Sequence, residues 1–275
     1  MRFGLDVSQH QLAWSDIVAR ARFAEDADFD GIWVFDHFKA LYADPKGPCL
    51  EGWTLLAALA AVTDRVRLGA LVTGMTYRHP SVLAAEAVTV DHVSNGRLEL
   101  GLGASWFQRE HDELGIEFPA TPERIERLDE GVQVMRLLMT SDDVSFDGHH
   151  YRLRNATYRP RPIQQPHPPI WIGASGEQLM LPLVGRLADA WHSFGSVEVL
   201  SRRWNIVREH AERAGRDPRS ILRSSSLSLS EPWNEVRRTI ETCAEAGIEY
   251  LVVSFPSEGH SHLERFVADV VPDFR

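Results

Sequence analysis

The sequence predicts a (β/α)8 TIM barrel with an insertion after its fourth strand, on three observations. Eight short apolar runs of strand length alternate along the chain with segments of helical periodicity. Several of those runs are apolar on both faces, the pattern of strands buried inside a parallel sheet. The glycine fingerprint that a dinucleotide-binding sheet carries straight after its first strand is missing: Gly101-Leu102-Gly103 lies inside the fourth run and lacks the third glycine.

With 275 residues, 44% hydrophobic and 25% charged, the chain has the size and composition of one such barrel. Residues 1–275 are therefore read as a single domain, with the insertion at about 106–168. Arg2–Val7 is the first strand. Trp14–Asp28 is the first helix, with Ile17, Val18, Ala21 and Ala24 at helical spacing and Ser15 as N-cap. Gly31–Phe35 follows as the second strand, then a loop with Pro45, Gly47 and Pro48, a helix over Trp53–Val62 and a third strand over Val66–Thr73. Pro80 begins a helix that the turn Ser94-Asn95-Gly96-Arg97 closes, and Leu98–Gly103 is the fourth strand. The alternation lapses from Trp106 to Pro169, where one helix, Pro122–Leu138, and a hairpin-like excursion, Phe146–Arg161 with Gly148 at its turn, are legible. It resumes with strand Pro169–Gly173, helix Gln178–Leu187, strand Asp189–Phe194, helix Val197–Ala214, strand Ile221–Leu229, helix Trp233–Ala246, strand Tyr250–Phe255 and a last helix near His262–Val270.

A net charge of -10 without a compensating basic tract argues against a nucleic-acid partner, whose phosphates most of the surface would repel. Cys49 and Cys243 form no metal or redox pair. The chain shows neither a signal-type apolar segment nor a run able to span a membrane. These features lead to the expectation of a soluble, cytoplasmic protein acting on a small-molecule substrate.

In a barrel the carboxyl ends of the strands converge on one face and build the site. Here that face collects mostly small residues, a few aromatics and one acid/base pair, Asp36-His37, at the end of the second strand. Imidazole titrates near neutrality, so His37 beside a carboxylate is the candidate proton donor or acceptor. Ile172-Gly173-Ala174-Ser175-Gly176 follows a strand and precedes a helix, exposing several backbone amides together, the arrangement of a phosphate site. Glu177 fits such a loop only if it points away. The paired carboxylates of glycoside hydrolysis are missing, and Ser105 lacks a nucleophile elbow. His10, His37, His79, His92 and His192 show no ligand spacing, so no metal is assigned.

The chain resembles the bacterial luciferase-like oxidoreductases, specifically their coenzyme F420-dependent branch. The resemblance rests on Trp33-x-x-Asp36-His37, on Leu68-Gly69 through Tyr77-Arg78-His79-Pro80, and on Asp91-x-x-Ser94-Asn95-Gly96-Arg97-Leu98-x-Leu100-Gly101-Leu102-Gly103-Ala104-x-Trp106. Pro168-Pro169-Ile170-Trp171-Ile172-Gly173-Ala174-Ser175-Gly176 and Ala188-Asp189-Ala190-Trp191 continue it in the same order. It implies a tricyclic redox ring at the barrel mouth, backed by a third-strand bulge at Leu71-Val72 with a cis peptide, Thr73 and Gly74 beside it. It further implies Asp36 and His37 near the reactive edge, Ala104 and Ser105 against the ring or its tail, Gly173, Ala174, Ser175 and Gly176 on the phosphate, and Trp191 bordering the pocket. Where certain sugar-phosphate dehydrogenases of the branch carry a glutamate acid/base, Trp106 stands here, suited to a substrate wall. The resemblance implies hydride transfer between F420 and a small organic substrate. Two alternatives stay open: an FMN-dependent monooxygenase on the same barrel, and a cofactor-binding protein without turnover. Pairing of two copies through barrel helices is compatible with it, as is burial of Trp53–Val62 within one chain.

Overall fold

The computed structural model describes residues 1–275. The first half of the barrel runs β1 (Arg2–Asp6), α1 (Trp14–Asp26), β2 (Gly31–Val34), α2 (Gly52–Val62), β3 (Arg67–Ala70), β4 (Thr73–Gly74), α3 (Pro80–Val93) and β5 (Leu98–Gly103). The insertion holds α4 (Gln108–Leu114), α5 (Thr121–Thr140) and the antiparallel hairpin β6 (Val144–Asp147) with β7 (Arg152–Ala156). The second half runs β8 (Ile170–Gly173), α6 (Met180–Leu187), β9 (Ala190–His192), α7 (Val197–Arg213), β10 (Leu222–Leu227), α8 (Trp233–Glu245), β11 (Tyr250–Val253) and α9 (His260–Asp269). All pairings around the barrel are parallel, in the order β3-β2-β1-β11-β10-β9-β8-β5, and β3 closes the ring on β5 through Leu68↔Leu98 and Gly69↔Glu99. The expected TIM barrel and its insertion are therefore present.

Strand residues alternate between two cores, as the pleat requires. Ile32 and Val34 of β2 and Ile170 and Ile172 of β8 face outward into a large helix-covered cluster. Trp33, Trp171 and Tyr250 face inward and pack edge-on to one another, with ring centroids 4.7, 5.2 and 6.2 Å apart. Trp33 Nε1 donates to the Tyr250 hydroxyl at 3.2 Å and Trp171 Nε1 to Glu99 at 2.6 Å, so the polar atoms of this plug are satisfied. The plug fills the barrel floor and leaves the carboxyl end open.

Four local expectations are corrected. The N-cap of α1 is Ala13, whose N–H donates to Asp16 Oδ2 at 3.3 Å, and Ser15 lies inside the first turn. The third strand, read as continuous over Val66–Thr73, is two pieces, and the bulge expected at Leu71-Val72 is what divides it, with a cis peptide bond as the resemblance implied. Gly101 faces this break, and a Cβ there would lie 1.9 Å from the Ala70 carbonyl oxygen, so only glycine lets β5 pass. Residues 108–114, read as irregular, form α4, and α6 starts at Met180 because residues 177–179 form a turn. Helix α2 buries Trp53, Leu55, Leu56, Leu59 and Ala60 within the chain. No helix is long and apolar enough to cross a membrane.

Candidate active site

The chain leaves β2 at Val34 and delivers Asp36 and His37 to the barrel mouth, where they part company. Asp36 is buried, and Arg78 takes both of its oxygens, Nη1 to Oδ2 at 2.7 Å and Nη2 to Oδ1 at 3.0 Å. Arg78 also pairs with Glu51 and, at 3.2 Å, with Glu86. Glu51 caps α2 by accepting from Trp53 and Thr54 N–H. One guanidinium thus ties the end of β2 to α2 and α3, and Asp36 serves as its anchor.

His37 instead meets Glu110 of α4: Nδ1 lies 2.9 Å from Oε2. Glu110 is fully buried and also accepts from Phe38 N–H at 2.8 Å, Lys39 N–H at 2.9 Å and the Tyr77 hydroxyl. Burial opposes its ionisation, but the hydrogen bonds from His37, Tyr77 and Phe38 outweigh it and hold the carboxyl below its usual range. A carboxylate only accepts, so Nδ1 carries a hydrogen and Nε2 is the nitrogen left for a ligand. Trp106 stands over the site, 66% exposed, its ring 6.0 Å from that of His37. It forms a lip of the mouth and is not packed under the insertion.

These groups open on a cavity of about 520 Å³, within the range of cofactor pockets. Asp36 and His37, Leu71 and Val72, and Ala104, Ser105 and Trp106 line it on one side. Gly173, Ala174 and Ser175 line it beyond Ala104, because β8 pairs with β5 and Gly173 lies against Val72. The two sequence motifs therefore open on a single cavity. Thr73, Gly176 and Trp191 do not line it. Thr73 is buried behind the β3–β4 break and accepts from Trp53 Nε1 at 3.0 Å. Trp191, also fully buried, donates its Nε1–H to the Ala174 carbonyl at 3.0 Å and so braces the loop from behind. Glu177 turns outward to an exposed ion pair with Arg202 at 2.6 Å, which leaves the loop free of a carboxylate.

The sequence reading missed Glu110 and Arg124, took Tyr77 only as part of a motif, and weighed His192 only as a metal ligand. Arg124 of α5 lines the cavity, only 8% exposed, and its guanidinium donates to the carbonyls of Ala104 at 3.1 Å and Pro119 at 2.6 Å and to the Thr121 hydroxyl at 3.2 Å. Its guanidinium also lies over the Phe118 ring, 3.9 Å from the centroid, and no carboxylate lies within 4.0 Å of it, so a cavity-lining positive charge is left without an acid on the Ala104 side. Ser105 is fixed by Thr76, hydroxyl to hydroxyl at 2.6 Å. His192 at the end of β9 is buried and pushed down to about 4 by that burial, hence neutral at pH 7.

The residues fit a planar redox ring with an anionic tail. The Leu71-Val72 break gives a broad apolar wall, Ser105 and Ser175 offer hydroxyls, and Arg124 supplies unneutralised charge for a phosphate. The sequence pattern of the luciferase-like monooxygenase family matches residues 1–239. An F420-dependent glucose-6-phosphate dehydrogenase of Microbacterium testaceum (strain StLB037) is 34% identical over 254 residues, covering 91% of this chain and 68% of the relative. An F420-dependent hydroxymycolic acid dehydrogenase of Mycobacterium tuberculosis (strain ATCC 25618 / H37Rv) is 30% identical, covering 82% of this chain and 61% of the relative. The fold superposes on an F420-dependent secondary alcohol dehydrogenase solved with an F420-acetone adduct, at a TM-score of 0.89 and 21% identity, covering 100% of this chain and 99% of the other. It also matches the coenzyme F420-dependent tetrahydromethanopterin reductase of Methanopyrus kandleri, at 0.86 and 19% identity, covering 100% and 99%. Fold, mouth geometry and sequence agree, and the chain belongs to the luciferase-like monooxygenase family.

Proposed function

We propose that this chain is an F420-dependent oxidoreductase acting on a small organic substrate. The observation that carries the reading is that His37 and the Ala174-Ser175 loop line one cavity, with sequence relatives that are F420-dependent dehydrogenases. Coenzyme F420, when bound, supplies an obligate hydride carrier. The chain supplies the rest. The Ser175 loop and Arg124 hold the anionic tail, the Leu71-Val72 break and Ala104 back the ring, and Ser105 borders it. His37, oriented through Nδ1 by Glu110, holds or releases a proton at Nε2 beside the substrate oxygen. Asp36 contributes by fixing the segment that carries His37. Thr73, Gly176 and Trp191 act from behind the wall. Trp106 limits solvent at the lip and offers an apolar surface to the substrate. The same reading includes pairing of two copies through outer helices, for which Val82 and Val93 of α3 supply exposed apolar surface.

The test is alcohol- or carbonyl-dependent interconversion of oxidised and reduced F420, followed by absorbance with oxygen excluded. Turnover under those conditions is expected. Turnover only with FMN and oxygen would replace this reading by the monooxygenase alternative, and cofactor binding with no turnover of any substrate would favour a sequestering protein.

A further inference from the structure

Beside the cavity described above lies a second one, of about 640 Å³, over the ends of β1, β10 and β11. The two share a wall of Phe35, Tyr42, Leu71, His192 and Phe194, so a ring lying against Leu71 would be within reach of anything in the neighbouring compartment. The chemistry of the two differs. The first holds Arg124 with no carboxylate paired to it, its one acid, Asp36, being taken up by Arg78. The second holds Asp6 at the end of β1, with the hydroxyls of Ser8, Ser226, Ser254 and Ser257 around it.

Asp6 has no ion pair within 4.0 Å; its Oδ1 accepts from Ser8 N–H at 2.8 Å. Arg20 is the cation of this compartment, and its guanidinium lies over the Phe255 ring, 3.6 Å from the centroid, with the Asp6 charge nearby. Carboxylate and guanidinium offset one another, and His192 is neutral at pH 7. A dianion entering here would meet Asp6 with a single, already engaged cation to hold it; a cation would meet Arg20. What remains well served is an uncharged molecule with hydroxyl groups, offered one strong acceptor and several hydroxyl partners.

We infer that the second compartment is the substrate subsite and that it takes an uncharged, hydroxyl-bearing substrate, with Asp6 accepting from a substrate hydroxyl. The inference rests on the F420 reading above and deepens it. It separates this chain from the relative named a glucose-6-phosphate dehydrogenase, because a phosphorylated sugar finds no uncompensated charge in the compartment.

The experiment uses the F420-loaded enzyme and ligand-observed saturation-transfer NMR with two matched pairs, glucose against glucose 6-phosphate and glycerol against glycerol 3-phosphate. At least one uncharged member should bind about tenfold or more tightly than its phosphate. Asp6→Ala should weaken it about tenfold and Asp6→Asn by less, while F420 affinity, read by fluorescence titration, stays within about threefold in both. Phosphates binding as well as or better than their parents, no transfer to either uncharged probe, or unchanged binding in Asp6→Ala would overturn the inference with the F420 reading intact. Failure of the parent enzyme to bind F420 would instead overturn the reading on which it rests, and the inference with it.

Discussion

His37 and Glu110, 73 residues apart in the chain, meet at 2.9 Å beneath the lip of the barrel mouth. The contact joins a β2 strand end to the insertion helix α4, and it decides which nitrogen of the imidazole serves a ligand. Because the same carboxylate takes the Phe38 and Lys39 amides, the loop that carries His37 is fixed along with the ring. His37→Ala should lower kcat about a hundredfold while the F420 dissociation constant stays within about threefold. Glu110→Gln should lower kcat less than His37→Ala and shift its pH profile, since an amide holds the imidazole without its charge. Turnover unchanged in His37→Ala across the pH range would remove the imidazole from the mechanism.

Arg78 and Asp36 form a buried bidentate pair, and removing one partner of such a pair costs about 3–5 kcal/mol because the other charge is left unpaired. Arg78→Met should therefore lower Tm by roughly 10 °C. A thermal scan of parent and variant decides it, and an unchanged Tm would show that Asp36 is held some other way.

Ser175 lies on the loop assigned to the anionic tail. Ser175→Asp sets like charge against it and should weaken F420 binding tenfold or more, with Tm changed little because the residue is exposed. Equal affinity would move the tail elsewhere, most directly toward Arg124 alone.

Burial pushes Asp6 from its usual 3.8 up to about 6. The folded chain then holds this proton more tightly than the unfolded one. Its contribution to stability is fully present below about pH 4 and is lost as the pH rises through 6, a loss of about 3 kcal/mol at most. Asp6→Asn escapes that loss, so its Tm should gain on the parent between pH 4 and pH 7.5 by several degrees. A Tm difference independent of pH would contradict the assigned burial of the carboxyl.

The barrel was legible in the sequence because its strands are apolar on both faces and its glycine turns fall between periodic segments, so the eight units stand out. The loop Gly173–Ser175 and the pair Asp36-His37 were legible as strand ends, where the fold itself indicates a site. Their distinct jobs were not. Asp36 precedes His37 in sequence, yet what separates them is Arg78, 42 residues on, and Glu110, 73 residues on. A contact of that range leaves no local period. Helix α4 spans seven residues, too few for an amphipathic pattern to emerge. Thr73 and Trp191 were placed at the pocket by motif, but the pleat turns their side chains behind the wall, one to Trp53 and the other to the Ala174 carbonyl. Arg124 sat in the insertion, where the alternation of strands and helices gave no reason to look for a site.

In the proposed function this mouth accepts a deazaflavin ring with its anionic tail between the Ser175 loop and Arg124. Equilibrium titration of the purified chain with F420 and, separately, with FMN, read by the fluorescence or absorbance of the ring, tests it most directly. Saturable one-to-one binding of F420, tighter than that of FMN by about tenfold or more, is expected. Tighter binding of FMN, or binding of neither, would contradict it.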